Sequence, residues 1–225
     1  MIQEFIESLI TPITREARSL GYLHESIAMQ RRYLRHKKEW QSHLDECRRQ
    51  ILTHASGVET IEILGSGPLL DIPMDELVEK CGRITLVDFV HPRHVKRRWS
   101  SHPKVRFIEA DLLGIASPLL SWRSGPLPTP LAHKPKADFV ISANCLSQLP
   151  IKPLEFLNDR VESAVLQKYA LQLGDAHLDM LRQYKHLLIT DFETRLLGEN
   201  GEILEKSDPP IPQTRLKLLH SWNWR

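Results

Sequence analysis

Cysteine is scarce: Cys47, Cys81 and Cys145 are the three in a chain of 225 residues. Their odd number and wide separation exclude a disulfide framework and leave them as core residues. No uncharged apolar stretch approaches the ~20 residues that a membrane-crossing helix needs. The N-terminal residues, with Glu4 and Glu7 among them, do not form a signal peptide. The expectation is a cytoplasmic protein without a membrane partner. An excess of one charge is missing too. Thirty Lys and Arg against 28 Asp and Glu leave a formal charge of +2, which argues against a nucleic-acid partner. Histidine numbers 11, yet the pairs His91/His94 and His43/Cys47 lack a third ligand at metal spacing, so no metal site is expected. The Gly-x-Ser-x-Gly elbow of serine hydrolases is absent, as are internal repeats and low-complexity segments.

What is present divides by texture. Residues 1–57 read as a helical extension, broken near Pro12 and Gly21, with one long segment from His24 to about His54. Ile27, Leu34, Trp40, Leu44, Cys47 and Ile51 recur near helical spacing, while Arg31, Arg32, Arg35, Lys37 and Lys38 fall largely elsewhere. That pattern is an amphipathic helix with a basic outer face. Residues 58–225 alternate short apolar runs with helical stretches. The candidate strands are Thr60–Leu64, Ile84–Val87, Val105–Ile108, Phe139–Ser142 and Leu187–Thr190. Runs this apolar suit strands buried on both faces, and helix-length spacers imply a parallel sheet with crossovers. The fold class is therefore α/β, a doubly wound and mostly parallel sheet. Ser117–Lys136, with five prolines, is a loop or a short helix followed by extended chain.

In an open parallel sheet, ligands bind beyond the carboxyl ends of the strands. The first strand ends in "LGSGPLLD", placing Gly65, Ser66 and Gly67 there. A dinucleotide loop requires Gly-x-Gly-x-x-Gly opening directly into a helix. Here that third position is Leu70, and Pro68 removes an amide donor, so a nicotinamide-dependent oxidoreductase is disfavoured. A better helix start lies later, with Asp71 as a cap and Pro73 near the first turn. Asp88 closes the second strand, where it either caps a helix or accepts from both hydroxyls of a ribose. Asp111 closes "VRFIEAD", where it either leads a turn or accepts from an adenine amine.

The order of these elements, with "ADFVISANCLSQLP" as strand four, resembles the class I S-adenosylmethionine-dependent methyltransferases over about residues 59–191. The resemblance implies a Rossmann-like methyltransferase fold and S-adenosylmethionine as cofactor. By it, Gly65, Ser66 and Gly67 lie against the cofactor, Asp88 takes its ribose, Asp111 is near its adenine amine, and Asn144, Ser147 and Gln148 sit near its sulfonium. The family's acid two positions before the first glycine is Ile63 here, with Glu62 one place away, and its third glycine is Leu69. The Asn/Asp-Pro-Pro-Tyr pattern of nucleobase and amide methylation is absent, because Asn144 is followed by Cys145 and Leu146.

By the same resemblance, the N-terminal helices either cover the cofactor pocket, which makes Tyr22, His24 and Arg31, with Gln148, candidates for the substrate side, or only pack against the sheet. Asp191 either faces the pocket from strand five or only ends that strand. His91–Arg106 carries Arg93, Lys96, Arg97, Arg98 and Lys104 with no acid, as a solvated face or a contact for an anionic partner; Trp99 and Val95 pack inward. Around Asn200-Gly201, Phe192–Leu197 and Glu202–Glu205 form a hairpin, and Trp222 and Trp224 alternate as on a last strand. The sheet edge is then incomplete or covered by a second copy in a homo-oligomer. The function expected is methyl transfer to an unidentified acceptor; the alternative is a non-catalytic module that keeps the fold for binding or scaffolding.

Overall fold

Residues 13–198, 200 and 202–223 are described by the computed structural model. Three helices lead: α1 (Arg15–Ser19), α2 (Tyr22–Arg35) and α3 (Lys37–His54). Next come β1 (Thr60–Leu64), α4 (Met74–Lys80), β2 (Arg83–Asp88), α5 (Arg93–Trp99), β3 (Val105–Glu109), α6 (Ala116–Ser121) and β4 (Phe139–Ala143). Helices α7 (Ile151–Leu157) and α8 (Ser163–Leu181) precede β5 (His186–Ile189), and β6 (Thr194–Leu197) and β7 (Ile203–Ser207) follow.

The five strands β1 to β5 form one sheet in the order β3-β2-β1-β4-β5. Every neighbouring pair in it is parallel. β1 is central, with Ile63 opposite Leu86 on one side and Ile61 opposite Phe139 on the other. Alternation along the strands supplies two faces. Ile61, Ile63, Ile84 and Leu86 pack on Cys47 and Ile51 of α3, Leu77 of α4, and Val95 and Trp99 of α5. Leu64, Val87 and Val140 turn to the opposite side and meet Leu178 and Leu181 of α8. The architecture is thus doubly wound α/β. All three cysteines are free and buried, as core residues.

The long segment expected from His24 to His54 is two helices. His36, at φ −118° and ψ 33°, leaves the helical region, and its N–H is shared between the carbonyls of Arg32 and Tyr33 at 3.0 and 3.2 Å. Arg31, Arg32, Arg35, Lys37 and Lys38 crowd this point, and like charges a turn apart weaken a helix locally. The bend also takes α2 out of phase with α3. Leu34, expected on the packed face, is therefore exposed, whereas Leu44, Cys47 and Ile51 are buried.

Asp71 caps no helix: α4 starts at Met74 after Pro73, without a side-chain cap. The proline-rich stretch is the short helix α6 followed by irregular chain. It is anchored through Glu62, which points from β1 to the α8 face. This carboxylate is 2% exposed and accepts from His133 Nε2 at 2.5 Å and the Lys136 N–H at 3.0 Å. In the basic run, Arg98 pairs with Asp75, and Lys96 with Glu109.

The expected hairpin forms as β6 and β7, antiparallel and separate from the main sheet. No strand follows it among the described residues, and Trp224 lies outside them. Instead, residues 216–222 wrap the β5 side of the sheet. Leu216 packs on the α8 face, and Trp222 on the α3 face, where His220 Nε2 lies 2.9 Å from Glu46 Oε1. Among the described residues, no helix is long and apolar enough to cross a membrane.

Candidate functional site

A cavity of about 240 Å³ opens at the carboxyl ends of β1 to β4. Its floor is the glycine loop. Gly65 and Ser66 both donate to the carbonyl of Val87, at 2.9 and 3.3 Å, which ties the loop to the end of β2. Gly65 has φ 70° and Gly67 φ 44°, a region open to glycine and costly to other residues. A Cβ at Gly65 would lie 2.5 Å from the Cβ of Cys145, so the first glycine is also forced by the turn after β4. Leu69 has φ 58°. The position where the family pattern has its third glycine therefore keeps a glycine-like backbone under a leucine side chain.

Asp88 holds this loop. Its Oδ2 accepts from the Gly67 N–H at 2.7 Å and its Oδ1 from the Val90 N–H at 3.0 Å. Burial pushes its carboxyl above the ordinary carboxylate range, against the pull of those amides. Asp111 accepts from the N–H groups of Leu113 at 3.0 Å and Ala116 at 2.6 Å, so it leads a turn while lining the cavity. Asn144 follows β4 at φ 53°, and its Nδ2 donates to Asp71 Oδ2 at 2.7 Å. Burial raises the Asp71 carboxyl, and the Asn144 amide opposes that shift. Ser66 is 2% exposed, and its Oγ has no hydrogen-bond partner.

Gln148 and Asp191 line the cavity, and Ser147 supports Asp191 by donating to its Oδ2 at 3.0 Å. Of the substrate-side candidates Gln148, Tyr22, His24 and Arg31, the first two line it, and Tyr22 does so from α2. Its ring meets Phe89 edge-on at 5.0 Å, and burial, followed by the charges of Asp111 and Asp88, pushes its phenol upward. His24 and Arg31 do not line the cavity. Helical geometry explains why: at ~100° per residue, both project about half a turn away from Tyr22.

The residues on the Tyr22 face are Glu25, Ser26 and Met29, and the bend at His36 brings Trp40, His43 and Leu44 of α3 to the same wall. Sequence reading missed these, although the spacing i, i+3, i+4, i+7 from Tyr22 was the signal that finds the α2 set. His43 Nδ1 accepts from the Trp222 indole N–H at 3.1 Å. Burial lowers the His43 pKa, opposed by Asp71 and Asp191, and keeps the ring neutral. Five carboxylates, Glu25, Asp71, Asp88, Asp111 and Asp191, line the cavity, with no lysine or arginine among the described lining residues. Glu25 is ion-paired, with Arg32 at 2.5 Å and Lys152 at 3.4 Å. Among the described residues, no group of three or more His, Cys, Asp or Glu could hold a metal ion.

No family model and no curated protein matches the sequence. Solved structures similar to the fold include a DhpI–SAM–HEP complex, 12% identical, covering 88% of this chain and 84% of that one with a TM-score of 0.42. Another is the Burkholderia thailandensis 1,6-didemethyltoxoflavin-N1-methyltransferase with 1,6-didemethyltoxoflavin and S-adenosylhomocysteine, 13% identical, covering 85% and 73%, TM-score 0.40. A third is the N-methyltransferase NodS of Bradyrhizobium japonicum WM9 with S-adenosylhomocysteine, 12% identical, covering 71% and 80%, TM-score 0.31.

Proposed function

We propose that this protein binds S-adenosylmethionine in the cavity and transfers its methyl group to an acceptor. One observation carries the reading. The cavity gathers the glycine loop, Asp88, Asp111 and Asn144 from four strand ends, and its carboxylates outnumber any cation that faces them. A ligand with positive charge and a hydroxyl-rich nucleoside suits that lining better than any polyphosphate. The chain's own residues fit the cofactor at named points. Gly65 and Gly67 allow close approach, Asp88 would take the ribose hydroxyls and Asp111 the adenine amine, and the unpartnered Ser66 Oγ would serve as donor or acceptor.

When bound, the cofactor supplies a methyl group already activated by a sulfonium. Positioning then supplies much of the acceleration and no strong base is obligatory. In this arrangement α2 and α3 exclude water and orient the acceptor, while Asn144 and Asp71 brace the loop against the end of β4.

A second reading, a module that binds without catalysing, is favoured by Glu62. The acid nearest to the family's usual position is locked beneath the sheet by His133 and Lys136 and faces away from the cavity.

Thermal unfolding with S-adenosylmethionine and with S-adenosylhomocysteine tests the reading. Ligand at a hundredfold excess over Kd adds about 2.7 kcal/mol, or roughly 5 to 10 °C at this size. Asp88→Ala abolishes that shift. The shift with S-adenosylmethionine also declines as acid protonates Asp88, at a pH above the ordinary value of 3.8. Folded protein that shifts with neither ligand overturns the proposal. Methyl transfer to any acceptor in a lysate, lost in Asp88→Ala, excludes the binding-only reading.

A further inference from the structure

The cavity has two chemically different ends. Asp88, Asp111, Tyr22 and Phe89 surround one of them. Asp71 and Asp191 lie at the other, where both act on His43 and Cys47. Among the described residues no lysine or arginine lines either end. His43 is the basic group of the described lining, and its Nδ1 accepts from the Trp222 N–H. Setting aside Glu25, which Arg32 and Lys152 compensate, four aspartates remain. A cofactor with a sulfonium, an ammonium and a carboxylate brings one net positive charge. The lining is then still richer in acidic than in basic groups, even with Arg48 acting on Asp71 and His91 on Asp88 from behind, and that surplus is met by the second ligand or by proton uptake.

We infer that the methyl acceptor is an amine, held at the Asp71–Asp191 end beside Trp40 and Leu44 of α3, and that carboxylate and phosphate acceptors are excluded. The inference rests on the proposed cofactor reading for the role of the ligand, but the charge argument stands on the lining alone. A second observation points to a ligand independently of the acids: Ser66 is buried at 2% exposure, lines the cavity and leaves its Oγ unpartnered. An amine bound as its ammonium first gives one proton to Asp71 or Asp191, the carboxylates at that end; the freed nitrogen lone pair then forms N–C as C–S breaks, which leaves a methylammonium and a neutral thioether. Burial raises the Asp71 carboxyl, which suits it to proton acceptance.

Matched probes test this by calorimetry, on protein alone and on protein saturated with S-adenosylhomocysteine. Tyramine and phenethylamine are set against carboxylates of the same shape, 3-(4-hydroxyphenyl)propionate and 3-phenylpropionate. The amines are expected to bind at least about tenfold more tightly than their counterparts, the equivalent of 1.4 kcal/mol. Asp71→Asn and Asp191→Asn each reduce that preference severalfold, with retained S-adenosylhomocysteine binding by Asp191→Asn as the control for folding. Carboxylates binding as well as amines, amine binding unchanged in both variants, or no amine binding at all overturns the inference. Failure of S-adenosylhomocysteine to bind while the amine preference persists removes the cofactor reading and leaves the amine site standing.

Discussion

Gly65 and Gly67 are both left-handed, for different reasons. At Gly65 an added Cβ would lie 2.5 Å from Cys145 Cβ, whereas at Gly67 the nearest atom is Asp88 Oδ2 at 3.8 Å. Gly65→Ala therefore pays overpacking as well as backbone strain and is expected to cost about 3 kcal/mol, while Gly67→Ala pays strain alone, about 1 kcal/mol. Urea unfolding midpoints measure both, and equal costs would show that the Cys145 contact does not matter. These glycines were legible in the sequence because a strand end and the residues after it are a local pattern. Asp88 was legible for the same reason. The Asn144 to Asp71 bond was not, since it joins residues 73 apart that no periodicity relates. The same distance hid the true work of Asp71, which local reading assigned to a helix cap.

At the scale of elements, Glu62 shows how a departure from a family pattern finds another use. Its carboxylate binds the proline-rich segment to the sheet through His133 and Lys136. His133→Ala leaves a buried carboxylate with one donor fewer, and the expected cost is about 2 kcal/mol, with proteolysis appearing first in residues 122–138. Replacing Glu62 and His133 together by leucine is expected to be milder than His133→Ala alone. A double variant as unstable as His133→Ala counts against this account. All five strands of the main sheet were readable from their apolar, β-branched runs, to within one residue at each end, although burial on both faces holds for the inner strands and not for the edge strands β3 and β5. The bend at His36 was not readable, because neither proline nor glycine marks it. Its cause is a density of like charge whose effect depends on what each helix packs against. Missing that bend is also what misplaced Leu34.

For the whole molecule, the segment 216–222 stands where a further strand was expected. It closes the β5 side by side-chain contacts, through Leu216 on one face and Trp222 on the other. Trp222→Ala removes a half-buried ring and the hydrogen bond to His43, at an expected cost of about 2 kcal/mol. Amide exchange is expected to quicken in β5 and around His43 while β1 and β2 stay protected; uniform quickening would mean that the segment serves global stability alone.

The Trp222 to His43 hydrogen bond spans 179 residues, and that span has a consequence in time. A chain made from its N-terminus onward presents α3 well before residue 222. The sheet and glycine loop can assemble on a growing chain, but the His43 wall is fastened only when synthesis has passed Trp222. The wall of the cavity is thus fastened after its floor.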